Sequence, residues 1–213
     1  AMVFGAVAKE RIALNDNTLW SGGPKDWNNP GAKDVLPRVR AAVLAGNYAE
    51  AEKLCKQMQG PYTQNYLPLG DLKLEFAGVA APTDYKRTLD LNRALATVTF
   101  RESGAVFRRE IFSSHPDQVI VLRLTCDQPG RISFRAGLSS LVRSATAAAG
   151  SDTLALRGKA PSHSDPSYVK TAPVPIIYGE GPDAEGMTFD VRVRAIAMGG
   201  MGTDTAMEAA DIV

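Results

Sequence analysis

Alternation of apolar and polar residues with a period of two runs through much of this chain, and it restricts those segments to strands that bury one face. Residues 71–76 place Leu72, Leu74 and Phe76 on one side and Asp71, Lys73 and Glu75 on the other. Residues 131–138 repeat the design with Ile132, Phe134, Ala136 and Leu138 inward. Residues 187–195 set Met187, Phe189, Val191 and Val193 against Asp190, Arg192 and Arg194. Further strands are expected at 11–14, 85–91, 95–101, 106–113, 119–126 and 153–157. The run 119–126 is apolar on both faces for most of its length, which places it at the centre of a covered sheet. Glu102-Ser103-Gly104, His115-Pro116-Asp117 and Asp127-Gln128-Pro129-Gly130 separate these runs as turns, and the first should close a hairpin. Short strands joined by turns predict a mainly β, antiparallel sandwich, not a parallel α/β sheet.

One stretch follows the helical period. Between residues 33 and 59 the apolar positions are Leu36, Val39 and Val43, then Tyr48, Ala51, Leu54 and Met58, with Gly46-Asn47 between the two sets. Asn47 with Glu50 three residues on forms a capping pair for the second helix. The expectation is a small helical hairpin inserted between strands. The Ala/Gly-rich run 144–151 reads as a loop. The chain opens on apolar residues that read as the inside of a strand, and 209–213 read as the entry to another. The sandwich is therefore expected to be incomplete, cut at both ends from something longer.

Bulk composition narrows the function classes. The 24 basic residues face 23 acidic ones, so no cationic excess exists to hold a phosphate backbone, and no nucleic-acid partner is expected. The longest apolar run, 119–124, is broken by Arg123 and far too short to cross a bilayer, so no membrane partner is expected. Cys55 and Cys126 are too few for a zinc site, and buried free thiols are expected, with one long-range disulfide as the alternative. Gly179-Glu180-Gly181 and Gly199-Gly200-Met201-Gly202 lack the strand–turn–helix spacing of a nucleotide loop, so no cofactor and no metal is expected.

The irregular segments 15–31, 59–70 and 160–183 carry the aromatics, amides and prolines from which a sandwich builds a binding surface or a domain interface. Leu14-Asn15-Asp16-Asn17-Thr18-Leu19-Trp20-Ser21-Gly22-Gly23-Pro24 resembles the amino-terminal signature of glycoside hydrolase family 95. Three further stretches agree in the same order. They are Gln59-Gly60-Pro61-Tyr62 leading to Tyr66-Leu67-Pro68-Leu69-Gly70-Asp71-Leu72, then Tyr85-Lys86-Arg87-Thr88-Leu89-Asp90-Leu91, then Ser113-Ser114-His115-Pro116-Asp117-Gln118-Val119-Ile120. The resemblance extends over residues 1–213. It implies the amino-terminal β-super-sandwich of a larger secreted or periplasmic α-L-fucosidase-like enzyme. Such enzymes remove terminal α-linked L-fucose, or related L-galactose, from oligosaccharides and polysaccharides with inversion. The resemblance places the general acid and the amide-assisted water in an (α/α)6-barrel that follows in the parent chain, so no catalytic residue is expected here.

The candidates for substrate contact or domain interface are Asn17, Thr18, Trp20, Trp27, Tyr66 and His163. Trp20 and Trp27 offer flat faces that suit the apolar side of a pyranose, or pack against a neighbouring domain. Asn17 and Thr18 offer hydrogen bonds to a ligand, or form Asx turns. Tyr66 sits beside a Leu-Pro-Leu-Gly turn and His163 in a long loop, whereas His115 precedes a proline and reads as local structure. Asp16 and Asp26 read as solvated loop acids or as caps of backbone amides. Two roles compete with a purely structural sandwich: a non-catalytic portion that scaffolds and rims the barrel, and an independent carbohydrate-binding module.

Overall fold

The computed structural model describes residues 2–60, 64–169, 173–181 and 184–198. Along the chain the elements are β1 (Met2–Gly5), β2 (Lys9–Leu14), α1 (Ala32–Leu44), α2 (Tyr48–Met58), β3 (Gly70–Phe76), β4 (Thr83–Asp90) and β5 (Leu95–Glu102). There follow β6 (Ala105–Ser114), β7 (Val119–Cys126), β8 (Phe134–Ser139), β9 (Ser144–Ala148), β10 (Thr153–Lys159), β11 (His163–Ser164), β12 (Ile176–Ile177) and β13 (Thr188–Arg194). The sheets are ordered β1-β2-β3-β8, β4-β5-β6-β7, β13-β10-β9 and β11-β12, and their pairings are antiparallel. The antiparallel sandwich with a small helical insertion is thus the fold. Two compact units divide it: Ala1–Leu19, Pro68–Lys159 and Thr188–Val213 form the first, Trp20–Leu67 and Ala160–Met187 the second.

In the first unit the alternating positions converge on one core. Ile12, Leu72 and Leu138 are successive register partners across β2, β3 and β8, and all three are buried. Leu74, Ile111, Leu154 and Leu156 complete the cluster, with Phe134, Ala136, Phe189, Val191 and Val193 packed against it. Burying each large aliphatic side chain stabilises the fold by about 1.5–3 kcal/mol, so this shared face holds the sheets together. The hairpin expected at 102–104 joins β5 to β6, with Glu102 paired to Ala105.

Glu10 occupies the inward position two residues before Ile12 and is fully buried. Its carboxylate accepts from Arg109 Nη1 at 3.1 Å and Arg87 Nη2 at 2.9 Å. Arg109 also donates to the Val7 carbonyl, and its guanidinium lies 3.7 Å from the Phe76 ring centroid. Burial pushes the Arg109 guanidinium below its ordinary pKa, and the Glu10 hydrogen bond and charge oppose that shift. A charge this far from water is tolerated because its donors are matched and an aromatic face covers it.

Several expectations are corrected. Residues 119–126 form the last strand of their sheet, not a central one, with Val119 47% and Ile120 43% exposed. An apolar run fixes strand propensity, but position within a sheet depends on which partners pair. Residues 144–148, expected as loop, pair as β9 with β10 in register from Ser144–Gly158 to Ala148–Leu154. Small alanines give no alternation signal, and Thr146 Oγ1 fastens the strand to the Leu138 carbonyl at 3.1 Å. Ile132 is exposed and precedes β8, and Met187 is exposed and precedes β13. The end of the chain at 209–213, the glycines at 199–202 and the Pro61-Tyr62 dipeptide lie outside the described residues.

The second unit carries the helical hairpin. Val39, Ala51 and Leu54 are buried, while Val43 and Tyr48, at the hairpin tip, are exposed against expectation because the helices end there and their side chains meet solvent. Asn47 Oδ1 accepts the Glu50 N–H at 3.2 Å, satisfying one of the unpaired donors of the first turn. Asn29 Nδ2 donates to the carbonyls of Gln57 and Gln59 at 2.9 and 3.0 Å, fastening the 15–31 loop to the end of α2. Both cysteines are free, Cys126 half-buried and Cys55 exposed on α2, so the disulfide alternative and the expected burial of Cys55 both fall.

Candidate functional site

Trp20 and Trp27 line one open cleft of about 640 Å³ in the second unit. Ser21, Gly22, Gly23 and Pro24 supply one stretch of its lining and Ala184, Glu185, Gly186 and Met187 another, with Gln64 between. The cleft follows from local pairing. Trp20 bridges antiparallel to Tyr66, and Ser21 N–H donates to the Asn65 carbonyl at 3.0 Å. Gly22 N–H donates to the Pro161 carbonyl at 2.8 Å, so the 20–22 segment runs bonded on both sides. Gly22 has φ +75°, and a Cβ there would lie 2.7 Å from the Gln64 side chain, so only glycine permits this turn and this approach.

The polar groups behind the cleft form a connected chain. Gln64 Oε1 accepts the buried Ser21 hydroxyl at 2.7 Å, and Ser21 Oγ in turn accepts the Asn65 N–H at 3.0 Å. Asn65 Nδ2 lies 3.0 Å from the Ser164 carbonyl, the Ser164 hydroxyl and the Asp165 carbonyl, which pins the strand β11. His163 Nε2 stands 3.1 Å from Asp165 Oδ1, and its Nδ1 faces Gln64 Nε2 at 3.5 Å. With Nε2 donating to Asp165, Nδ1 is left as the acceptor toward the glutamine. At the cleft lining, Glu185 pairs with Lys25 at 3.2 Å, both half-exposed.

The expected residues are therefore sorted by the fold. Trp20 and Trp27 share the cleft, and Tyr66 braces Trp20 edge-to-face, with ring centroids 5.6 Å apart. His163 stands behind Gln64, as part of the support and not of the lining. Asn17 and Thr18 belong to the first unit. The Thr18 hydroxyl and N–H both donate to Asp16 Oδ1, at 2.6 and 2.8 Å, and these bonds hold the Asp16 carboxyl below its usual range. Asp26 Oδ1 accepts the Asn28 N–H and side-chain amide at 3.0 and 2.8 Å, so both acids cap their own loop. His115 accepts through its carbonyl from Gln118 in the β6–β7 turn, a local role.

Gln64, Asn65, Lys25 and Glu185 were not singled out by sequence. Gln64 and Asn65 lie between two quoted motif stretches, and their adjacency to Tyr66 was the available signal. Glu185 had none, since its place beside Lys25 is created by the loop path. A smaller cavity of about 220 Å³ lies in the first unit, lined by Phe76, Phe100, Phe107, Glu102 and Arg109 among others. It holds none of the candidates. Its buried carboxylate, Glu102, accepts from the backbone N–H groups of Ala80 and Ala81, a structural duty. Among the described residues no group of three or more His, Cys, Asp or Glu side chains is arranged to hold a metal.

Comparison with known proteins agrees with this architecture. A family model described as "Glycosyl hydrolase family 65, N-terminal domain" matches residues 1–212. "Alpha-L-fucosidase 2" of Arabidopsis thaliana is 36% identical over 143 residues, which is 66% of this chain and 17% of the relative. "Probable alpha-fucosidase A" of Aspergillus niger is 30% identical over 132 residues, covering 59% of this chain and 16% of the relative. Its namesake in Aspergillus oryzae is 27% identical over 130 residues, covering 58% and 18% respectively. The matched segment thus spans less than a fifth of these relatives' length. The chain belongs to the family described as the N-terminal domain of glycosyl hydrolase family 65, as an α-L-fucosidase-like amino-terminal domain.

Proposed function

We propose that this chain is the non-catalytic amino-terminal portion of an exported, inverting α-L-fucosidase of family 95. In this reading it scaffolds the (α/α)6-barrel of the parent chain and rims the entrance to its active site. The parent removes terminal α-linked fucose, or related L-galactose, from oligosaccharides and polysaccharides. The observation that carries the proposal is the pairing of likeness with coverage: relatives named α-fucosidases match most of this chain but are matched over only 16–18% of their own length. Inverting hydrolysis needs a proton donor and a water activator on opposite faces of the sugar. Asp16 and Asp26 each accept two hydrogen bonds within their own turn, a local duty that accounts for both residues.

The test is reconstitution. The 213-residue chain alone is expected to leave an aryl α-L-fucoside intact. The remainder of the parent reading frame, expressed separately, should regain fucosidase activity when the two pieces are mixed. Turnover by this chain alone would overturn the non-catalytic reading. Full activity of the remainder without this chain would overturn the scaffolding role.

A further inference from the structure

We infer that the cleft of the second unit is itself a carbohydrate subsite, which takes one pyranose residue against the Trp20–Trp27 lining and beside Glu185. Three features of the cleft converge on that ligand class. Its volume of about 640 Å³ falls inside the roughly 300–1,000 Å³ of small-molecule sites. Its apolar lining includes both tryptophans of the chain, with Pro24 and Met187. Such a lining matches the C–H face of a pyranose, whereas a peptide or lipid would demand a deeper aliphatic groove.

The polar groups are few and fixed, which is how a site reads hydroxyl positions. The Gln64 side chain is held by the Ser21 hydroxyl at 2.7 Å and pressed by the close approach of Gly22. Glu185, in the lining, brings acceptors for sugar hydroxyls, and Lys25, 3.2 Å from it and outside the lining, holds that carboxylate in place. Tyr66 limits the tilt of the Trp20 ring through its edge-to-face contact at 5.6 Å, which reduces the ordering cost of binding.

The choice of probe, though not the site, rests on the proposed fucosidase reading. Because the chain's two tryptophans both line the cleft, its intrinsic indole fluorescence reports on that cleft alone. Methyl α-L-fucopyranoside is titrated against the chain, with methyl β-galactopyranoside in parallel. The expected result is a saturable fluorescence change with both sugars. Glu185→Gln should weaken sugar binding about three- to tenfold. Trp27→Ala should abolish it, and Trp27→Phe, which keeps an aromatic face, should retain part of it. A flat titration of a chain with strand-rich circular dichroism would overturn the subsite, as would unchanged affinity in Glu185→Gln. Failure of reconstitution would sink the hydrolase reading while leaving these titrations untouched, so the two can be told apart.

Discussion

Gln64 Oε1 accepts the hydroxyl of Ser21 at 2.7 Å across forty-three positions of sequence, and Ser21 is almost wholly buried. That bond couples the loop bearing Trp20 to the segment bearing Tyr66. Replacing Gln64 by leucine removes the acceptor and leaves the Ser21 proton without its partner, which costs about 1–3 kcal/mol. Gln64→Glu keeps an oxygen in place and should lose much less. Urea unfolding of the two variants, compared at the same slope, checks the order.

The buried carboxylate of Glu10 supports two arginines, so its removal acts on charges as well as contacts. Glu10→Ala leaves Arg109 uncompensated beneath Phe76 and is expected to destabilise the chain by about 3–5 kcal/mol. Combining Glu10→Leu with Arg109→Met removes both charges and should recover most of that loss. Equilibrium denaturation of the single and double variants distinguishes this outcome from a simple cavity effect.

Acid should weaken the fold through four depressed carboxyls. Asp190 and Asp152 are held down by Arg192 and Arg194 first, Glu110 by Arg108, and Asp16 by Thr18. A folded pKa below the unfolded one gives stability that is present above about pH 4, near the unfolded values, and fades as pH falls through the folded ones. All four groups are solvent-screened, so the loss should be modest, and high salt should blunt the three arginine contributions. In Thr18→Val the Asp16 titration, followed by NMR, should move upward while the other three stay in place.

Gly22 and Gly46 both have positive φ, +75° and +71°, but only Gly22 has a neighbour at the place of a Cβ. Gly46→Ala should cost only the backbone strain, about 1 kcal/mol. Gly22→Ala adds a collision with the Gln64 side chain and should cost more, with a lowered thermal midpoint and an altered indole spectrum. Equal losses in the two would mean that Gln64 yields freely.

Much of the fold was legible because burying one face of a strand leaves a mark in the sequence. Leu72, Leu74, Leu138, Val191 and Val193 alternate with polar residues and face the core as expected. Helical spacing identified α1 and α2, and the cap at Asn47 was readable from its spacing to Glu50. The likeness to an α-L-fucosidase amino-terminal domain was readable as well, from four ordered stretches.

Sheet order, loop convergence and charge burial were decided only by tertiary structure. Nothing local distinguishes an edge strand such as β7 from a central one, because its neighbours come from other parts of the chain. Ser144–Ala148 became a strand through pairing with β10, which alanines do not announce. Glu10 sat openly at an inward position, but its partners Arg87 and Arg109 lie 77 and 99 residues away. The cleft is the strongest case: Trp20, Gln64 and Glu185 belong to three separate loops. Periodicity reports which face of an element is buried; which distant groups then meet is set by long-range backbone pairing and packing.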